Sequence, residues 1–156
     1  MVIKQYTGNR RQYLPLLLEA DPSEEMINRY LDQGFFLVAE ENVAVAGVAC
    51  VVPVENMFQG LGGWELKNIS VAEPFQRRGV GSALIAASQE NIPRWAAFWV
   101  GTADGSAAAL AFYQRNGFGV SHVVKDFFTK NYPEPIYDAG ILCRDMVYLC
   151  KINSRP

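Results

Sequence analysis

Met26, Ile27, Tyr30 and Leu31 recur at the spacing of one helical face, whereas residues 35–54 are apolar with a single polar break, Glu40-Glu41-Asn42. The first pattern predicts an amphipathic helix; the second predicts two buried strands joined by a turn at Glu41-Asn42. Asp21, Pro22 and Glu24 supply a helix cap, a first-turn proline and a capping box, and Gly34 supplies the stop. Ahead of them, "VIKQY" reads as a short strand, and residues 13–20 as a helix. Downstream, "NMFQGLGG" has the composition of a flexible loop. "WELKNISV" alternates as a strand, and a helix follows from Gly79 until Pro93 forces its end. "WAAFWVGT" is a buried strand. Asp104-Gly105 then turns the chain, Ser106 stands where a cap is needed, and "AAALAFYQRN" forms a helix that Gly117 ends. "GVSHVVKDFF" and "DMVYLCKI" are the last two strands, separated by a loop containing Tyr132, Pro133, Pro135 and Tyr137.

The resulting order, β-α-α-β-β-β-α-β-α-β-β, alternates strand and helix in its second half. That implies parallel pairing there, while the central hairpin implies antiparallel pairing, so the expected sheet is mixed. No repeat or linker interrupts it, and one α/β (α+β) domain spanning residues 1–156 is expected.

Composition narrows the function. Half the residues are hydrophobic and 19% are charged, as in ordinary globular chains, and the net charge of -2 argues against general nucleic-acid binding. No apolar run approaches the roughly 20 residues that span a bilayer, and the first residues lack a signal-peptide core, so a cytoplasmic location is expected. Cys50, Cys143 and Cys150 show no paired spacing and read as buried, reduced thiols. With His122 as the only histidine, no metal site is expected; His122 itself reads as structural or solvated.

One stretch is out of keeping with its surroundings. In "QRRGVGSALIAASQEN", residues 76–91, two arginines and two glycines precede a strong helix former. A helix N-terminus already carries positive partial charge and favours acidic neighbours. Gly79 and Gly81 permit a tight turn and close approach of a ligand, free N–H groups at the helix start form an anion site, and Arg77 and Arg78 add charge. The expected partner is a phosphate or pyrophosphate; the alternative is a solvated basic loop. A P-loop is excluded because no Lys-Ser/Thr pair follows, and a dinucleotide fingerprint because Leu84 stands at its third glycine position.

"QRRGVG" matches Q/R-x-x-G-x-G/A, and so resembles the coenzyme A pyrophosphate loop of the GNAT superfamily of N-acetyltransferases. "WELKNISV" before it is similar to that family's fourth strand. "VGTADGSAAALAFYQRNGF" resembles its next strand and helix, with Phe112, Tyr113, Gly117 and Phe118 in the usual places. The resemblance is strongest over residues 64–118, and the element order extends it over nearly the whole chain. It implies a mostly antiparallel twisted sheet of about seven strands flanked by about four helices, with strands 4 and 5 splayed around the coenzyme.

Carried over by position, the resemblance implies main-chain contacts to pantetheine at Ile69 and Val71, with Asn68 and Ser70 between them. It assigns the pyrophosphate to Gln76, Arg77, Arg78, Gly79, Val80, Gly81 and Ser82, and the pantetheine end to Ala109, Phe112 and Tyr113. Ser106 stands where the family often has an Asn on the cofactor arm, with helix capping as the other reading. The implied activity is acetyl transfer from acetyl-CoA to a primary amine of a small molecule or a peptide, by direct attack in a ternary complex. The alternative is an acyl-CoA sensor or interaction module without turnover.

Chemistry adds its own demands. An attacking amine must be neutral, which for an alkyl amine costs about 4.6 kcal/mol at pH 7 and for an α-amine about 1.4 kcal/mol. Glu65 is the candidate base, and strict alternation places it on the face of Ile69 and Val71; a solvated or ion-paired carboxylate is the competing reading. Tyr113 is the candidate proton donor to the leaving thiolate, or else a core aromatic. A backbone N–H near Val71 is a candidate oxyanion donor. The cysteines lack a histidine partner, which disfavours a covalent enzyme intermediate.

The acceptor is expected to meet residues 21–34, 56–63 and 129–144. Glu24, Glu25, Asp32, Glu134 and Asp138 there suit a cationic small molecule or a basic peptide end, or are solvated faces. Tyr132, Pro133, Pro135, Ile136 and Tyr137 suit a homodimer contact.

Overall fold

The computed structural model describes residues 1–154. In chain order the elements are β1 (Val2–Gln5), α1 (Leu14–Ala20), α2 (Glu24–Tyr30), β2 (Phe35–Glu41), β3 (Ala44–Phe58), β4 (Leu61–Val71), α3 (Val80–Glu90), β5 (Ala97–Ala103), α4 (Ala107–Arg115), β6 (Gly119–Val124), α5 (Phe127–Asn131), β7 (Tyr137–Asp138), β8 (Ile141–Leu142) and β9 (Met146–Ile152). Seven strands form one sheet in the order β1-β2-β3-β4-β5-β9-β6. Every neighbouring pair is antiparallel except β4 and β5, which run parallel. The expected architecture is therefore present, with the β7–β8 hairpin added inside the segment expected to be a loop and α5 formed where the expected strand over residues 119–128 stops at Val124.

The central strands are apolar on both faces because helices cover both. On one face Leu17, Ile27, Tyr30 and Leu31 of the α1–α2 region pack on Phe36, Val38, Val48 and Cys50. On the other, Val80, Leu84 and Ile85 of α3 and Tyr113 of α4 pack on Leu37, Ala49, Leu66, Phe98 and Val100. Gly47 permits the second contact: a Cβ there would lie 2.9 Å from the Ser70 carbonyl oxygen and 3.1 Å from Leu84.

Local turn chemistry corrects three boundaries. The first hairpin turns at Asn42-Val43, both left-handed, rather than at Glu41-Asn42. "NMFQGLGG" is not a loop. It forms the ends of β3 and β4, which turn at Gln59-Gly60, again with positive φ at both residues, the geometry that matches strand twist. α2 is capped by Ser23, whose hydroxyl accepts from the Met26 amide at 3.2 Å, while Asp21 accepts from the Ser23 amide.

One irregularity governs the site. Asn68 pairs with Cys50 and Leu66 with Val51, so Lys67 is an extra residue in β4. Such a bulge inverts side-chain alternation on its far side. Trp64 and Leu66 consequently join Ile69 and Val71 against α3 and α4. Asn68 turns to the opposite face, donating to the Leu17 carbonyl and the Tyr30 hydroxyl, both at 3.1 Å. The expectation that Glu65 shares a face with Ile69 and Val71 is overturned, because strict alternation does not count the extra residue.

Candidate active site

The parallel ladder between β4 and β5 consists of Trp64 with Phe98, Glu65 with Trp99 and Leu66 with Val100, and goes no further. Beyond it the two strands diverge. The Ala72 amide bonds to the Ala46 carbonyl at 2.8 Å, so alternation turns the main-chain groups of Ile69 and Val71 away from β3, toward the gap. β4 thus has a paired half and a half whose outer edge is open to an added strand-like partner.

A groove of about 430 Å³ runs along this edge to the start of α3. Gln76 ties the loop to the strand, donating from Nε2 to the Val71 carbonyl at 2.9 Å. Arg77 has φ 62° and Gly79 φ 83°, and these left-handed residues swing the chain into α3. Gly79 caps the helix without a side-chain bond, so the first-turn amides keep their outward aim and the dipole reinforces them. A Cβ on Gly81 would lie 3.0 Å from the Phe112 ring, so any side chain larger than glycine's would press on Phe112 and narrow this corner. A cradle of strand edge and glycine-opened helix start, narrowed by a side chain at one position, fits an extended chain ending in a diphosphate.

Ile69, Val71, Gln76, Arg77, Gly79, Val80, Gly81, Ser82, Phe112 and Tyr113 all line this groove. Asn68, Ser70, Arg78, Ser106 and Ala109, also expected at the cofactor, do not line the groove. Arg78 is turned outward onto Glu41 at 3.2 Å and lies 5.5 Å from the centre of the Phe75 ring. The Ser70 side chain is buried and, like that of Asn68, does not line the groove. Ser106 stands at the head of α4, but its hydroxyl makes no capping bond and donates to Asp138. Ser106 and Ala109 line a second cavity rather than the groove. Arg115 lines the groove and was missed; its signal was helical spacing, three residues beyond Phe112.

The second cavity, about 420 Å³, lies on the α1–α2 side, roofed by the segment from α5 to β8. Glu65 faces it with only 7% of its surface exposed. Burial raises its pKa above the ordinary glutamate range, and the Lys67 ammonium, 3.6 Å away, opposes the rise. Tyr113 lines both groove and cavity; burial pushes its pKa up to about 12, keeping the phenol protonated at neutral pH. The Lys67 ammonium also lies over the Tyr30 ring, 5.3 Å from its centre. Asp21 joins the two sides of the cavity, accepting from the Tyr30 hydroxyl at 3.1 Å and from the Tyr132 hydroxyl at 3.0 Å.

Of the segments expected to meet an acceptor, 21–34 and 129–144 contribute to this cavity and 56–63 does not. The 56–63 hairpin places Phe58 against His122, with ring centres 4.1 Å apart, and His122 stacks on Tyr148 at 5.1 Å. Tyr132, Ile136 and Tyr137, expected on a dimer surface, all line the cavity, Tyr137 while 63% exposed. Burial pushes the Cys50 thiol up to about 12 and raises that of Cys143, so neither is an activated nucleophile. Among the described residues, no group of three or more His, Cys, Asp or Glu side chains is gathered around a metal position, and no helix is long and apolar enough to cross a membrane.

Comparison with known proteins gives a consistent result. Residues 5–118 match the profile of the acetyltransferase (GNAT) family. Over 136 residues the chain is 35% identical to the uncharacterised N-acetyltransferase YvbK of Bacillus subtilis (strain 168), covering 86% of this chain and 84% of that one. A GNAT family acetyltransferase from Elizabethkingia anophelis, solved with acetyl-CoA bound, superposes with a TM-score of 0.82 at 35% identity over 97% of each chain. A Bacillus subtilis acetyltransferase solved with CoA gives a TM-score of 0.79 at 32% identity over 95% of each chain.

Proposed function

The chain belongs to the GNAT family of acetyltransferases, and from that premise we propose that it transfers the acetyl group of acetyl-CoA to a primary amine by direct attack in a ternary complex. The observation that carries the reading is Tyr113, which stands at the wall shared by a phosphate-suited groove and a separate cavity holding a buried carboxylate. A two-substrate transfer needs such a junction; a binding module does not.

The residues divide the work. The open edge at Ile69 and Val71 receives pantetheine amides, and the α3 amides with Arg77 and Arg115 hold the diphosphate. Bound there, acetyl-CoA supplies an acyl carbon activated as a thioester, and the new N–C bond forms as the C–S bond breaks. Glu65 removes the proton that the incoming ammonium must lose. Its raised pKa makes it a stronger base than an exposed glutamate, and the nearby Lys67 ammonium favours its ionised form. Tyr113, protonated and adjacent to both ligands, donates to the departing sulfur. The outward amide of Val71 is placed to polarise the thioester oxygen.

The test is incubation of the purified protein with acetyl-CoA and a panel of amines, scored by thiol release and by product mass. Gain of one acetyl group by an amine supports the transfer. Tight CoA binding without turnover of any amine would convert the reading to an acyl-CoA sensor.

A further inference from the structure

The acceptor cavity carries information about its ligand, on the reading that it receives an amine. Glu65 and Tyr113 are 7% and 9% exposed and face this cavity. Lys67 engages Glu65 at 3.6 Å. A carboxylate has acceptor sites beyond those one ammonium takes, and a phenol both donates and accepts, so both side chains can still meet a ligand.

The remaining wall has one sign. Among the described residues, Lys67 is the only cationic side chain lining the cavity, and Glu65 balances it. Glu19, Asp21 and Asp138 also line it, and no described arginine or second lysine does. Asp21 is held in place by Tyr30, Tyr132 and the Ser23 amide. Asp138 is exposed at the mouth, held by the Ser106 hydroxyl. Tyr30, Phe128 and Tyr132 supply ring surface, a favourable neighbour for an ammonium. The Tyr132–Asp21 bond ties the roof to the α1–α2 side over a cavity of about 420 Å³.

We propose that the acceptor is a small diamine-class cation: one primary amine seated between Glu65 and Tyr113, and a second ammonium held at the mouth by Asp138. Carboxylate-bearing amines are disfavoured by the three acidic groups that Lys67 does not balance. The Tyr132–Asp21 bridge narrows the way in for a polypeptide end.

The first measurement is calorimetry of the CoA-loaded protein with an alkane bis(trimethylammonium), a dication that cannot be acetylated, beside an alkyl monocarboxylate of equal length. The dication is expected to bind and the carboxylate not. Asp138→Asn should weaken the dication by about tenfold, with Asp138→Glu restoring it. This readout is independent of turnover, so it separates failure of the cavity assignment from failure of the transferase reading. The second is the ratio of kcat/KM for an alkane diamine over a monoamine of equal length, which should fall about tenfold in Asp138→Asn. Equal binding of the carboxylate, or a ratio unmoved by Asp138→Asn in a protein that still binds CoA, overturns the proposal. Acetylation of peptide N-termini in preference to diamines overturns it as well.

Discussion

β4 makes two sites, one on each side of its bulge, by opposite means. After Lys67, the strand offers main chain: Ile69 and Val71 present an open edge, and the loop from Gln76 to Gly81 presents helix amides. Before it, the strand offers a side chain: Glu65 projects into a cavity completed by residues from α1, α2, β5, α4, α5 and the β7–β8 hairpin. A main-chain site tolerates side-chain change except where a Cβ would fill it. A side-chain site depends on each contributor, and can change ligand without changing fold. The constant ligand is assigned to the first kind of surface and the variable one to the second.

The sharpest test of the division is Tyr113→Phe, at the shared wall. It should lower kcat on the order of a hundredfold or more while leaving CoA affinity nearly unchanged, read by steady-state kinetics beside calorimetry. Glu65→Gln should follow at about a hundredfold in kcat/KM, with loss of the alkaline-rising limb.

Glu65 also links pH to stability. The folded state binds its proton more tightly than the unfolded chain, so its contribution to stability falls as pH rises from the ordinary glutamate range through the raised value. Thermal melts of Glu65→Gln should therefore gain on the parent protein as pH rises across that window. A gain on acidification instead would mean that the Lys67 pair outweighs burial.

On the groove side, Gly81→Leu should cost about 2 kcal/mol of CoA affinity, roughly thirtyfold, by crowding Phe112. Tyr132→Phe breaks the roof bond to Asp21 and should raise the acceptor KM by about fivefold, with CoA affinity unmoved. Smallest is Arg78→Ala. Its guanidinium lies on Glu41, so CoA affinity should change by less than about twofold, and a larger loss would return Arg78 to the groove.

The same contrast explains what the sequence reveals. The groove is legible because its residues are contiguous and their types are forced: left-handed backbone at Gly79 and close approach at Gly81 leave little choice. Element order was readable for a similar reason, since apolar periodicity is local. The cavity is not contiguous. Asp21 and Tyr132 meet across 111 positions, and no spacing rule announces a hydrogen bond between them. Charge beside a glycine loop does not reveal that the Arg78 side chain turns onto Glu41. "NMFQGLGG" misled because glycines that mark a loop also serve a tight hairpin. Glu65 was found on chemical grounds but assigned to the wrong face, because a bulge leaves no mark in composition.

That extra residue sets a reading frame for the strand. Excision of Lys67 would restore uninterrupted alternation, and the six residues from Leu61 to Leu66 would each rotate by half a turn. An indole and an isobutyl group would be delivered to the acceptor, and a carboxylate driven into hydrocarbon beneath the third helix. Drift by substitution can remodel this pocket gradually, but a one-codon deletion here would exchange inside for outside in a single step.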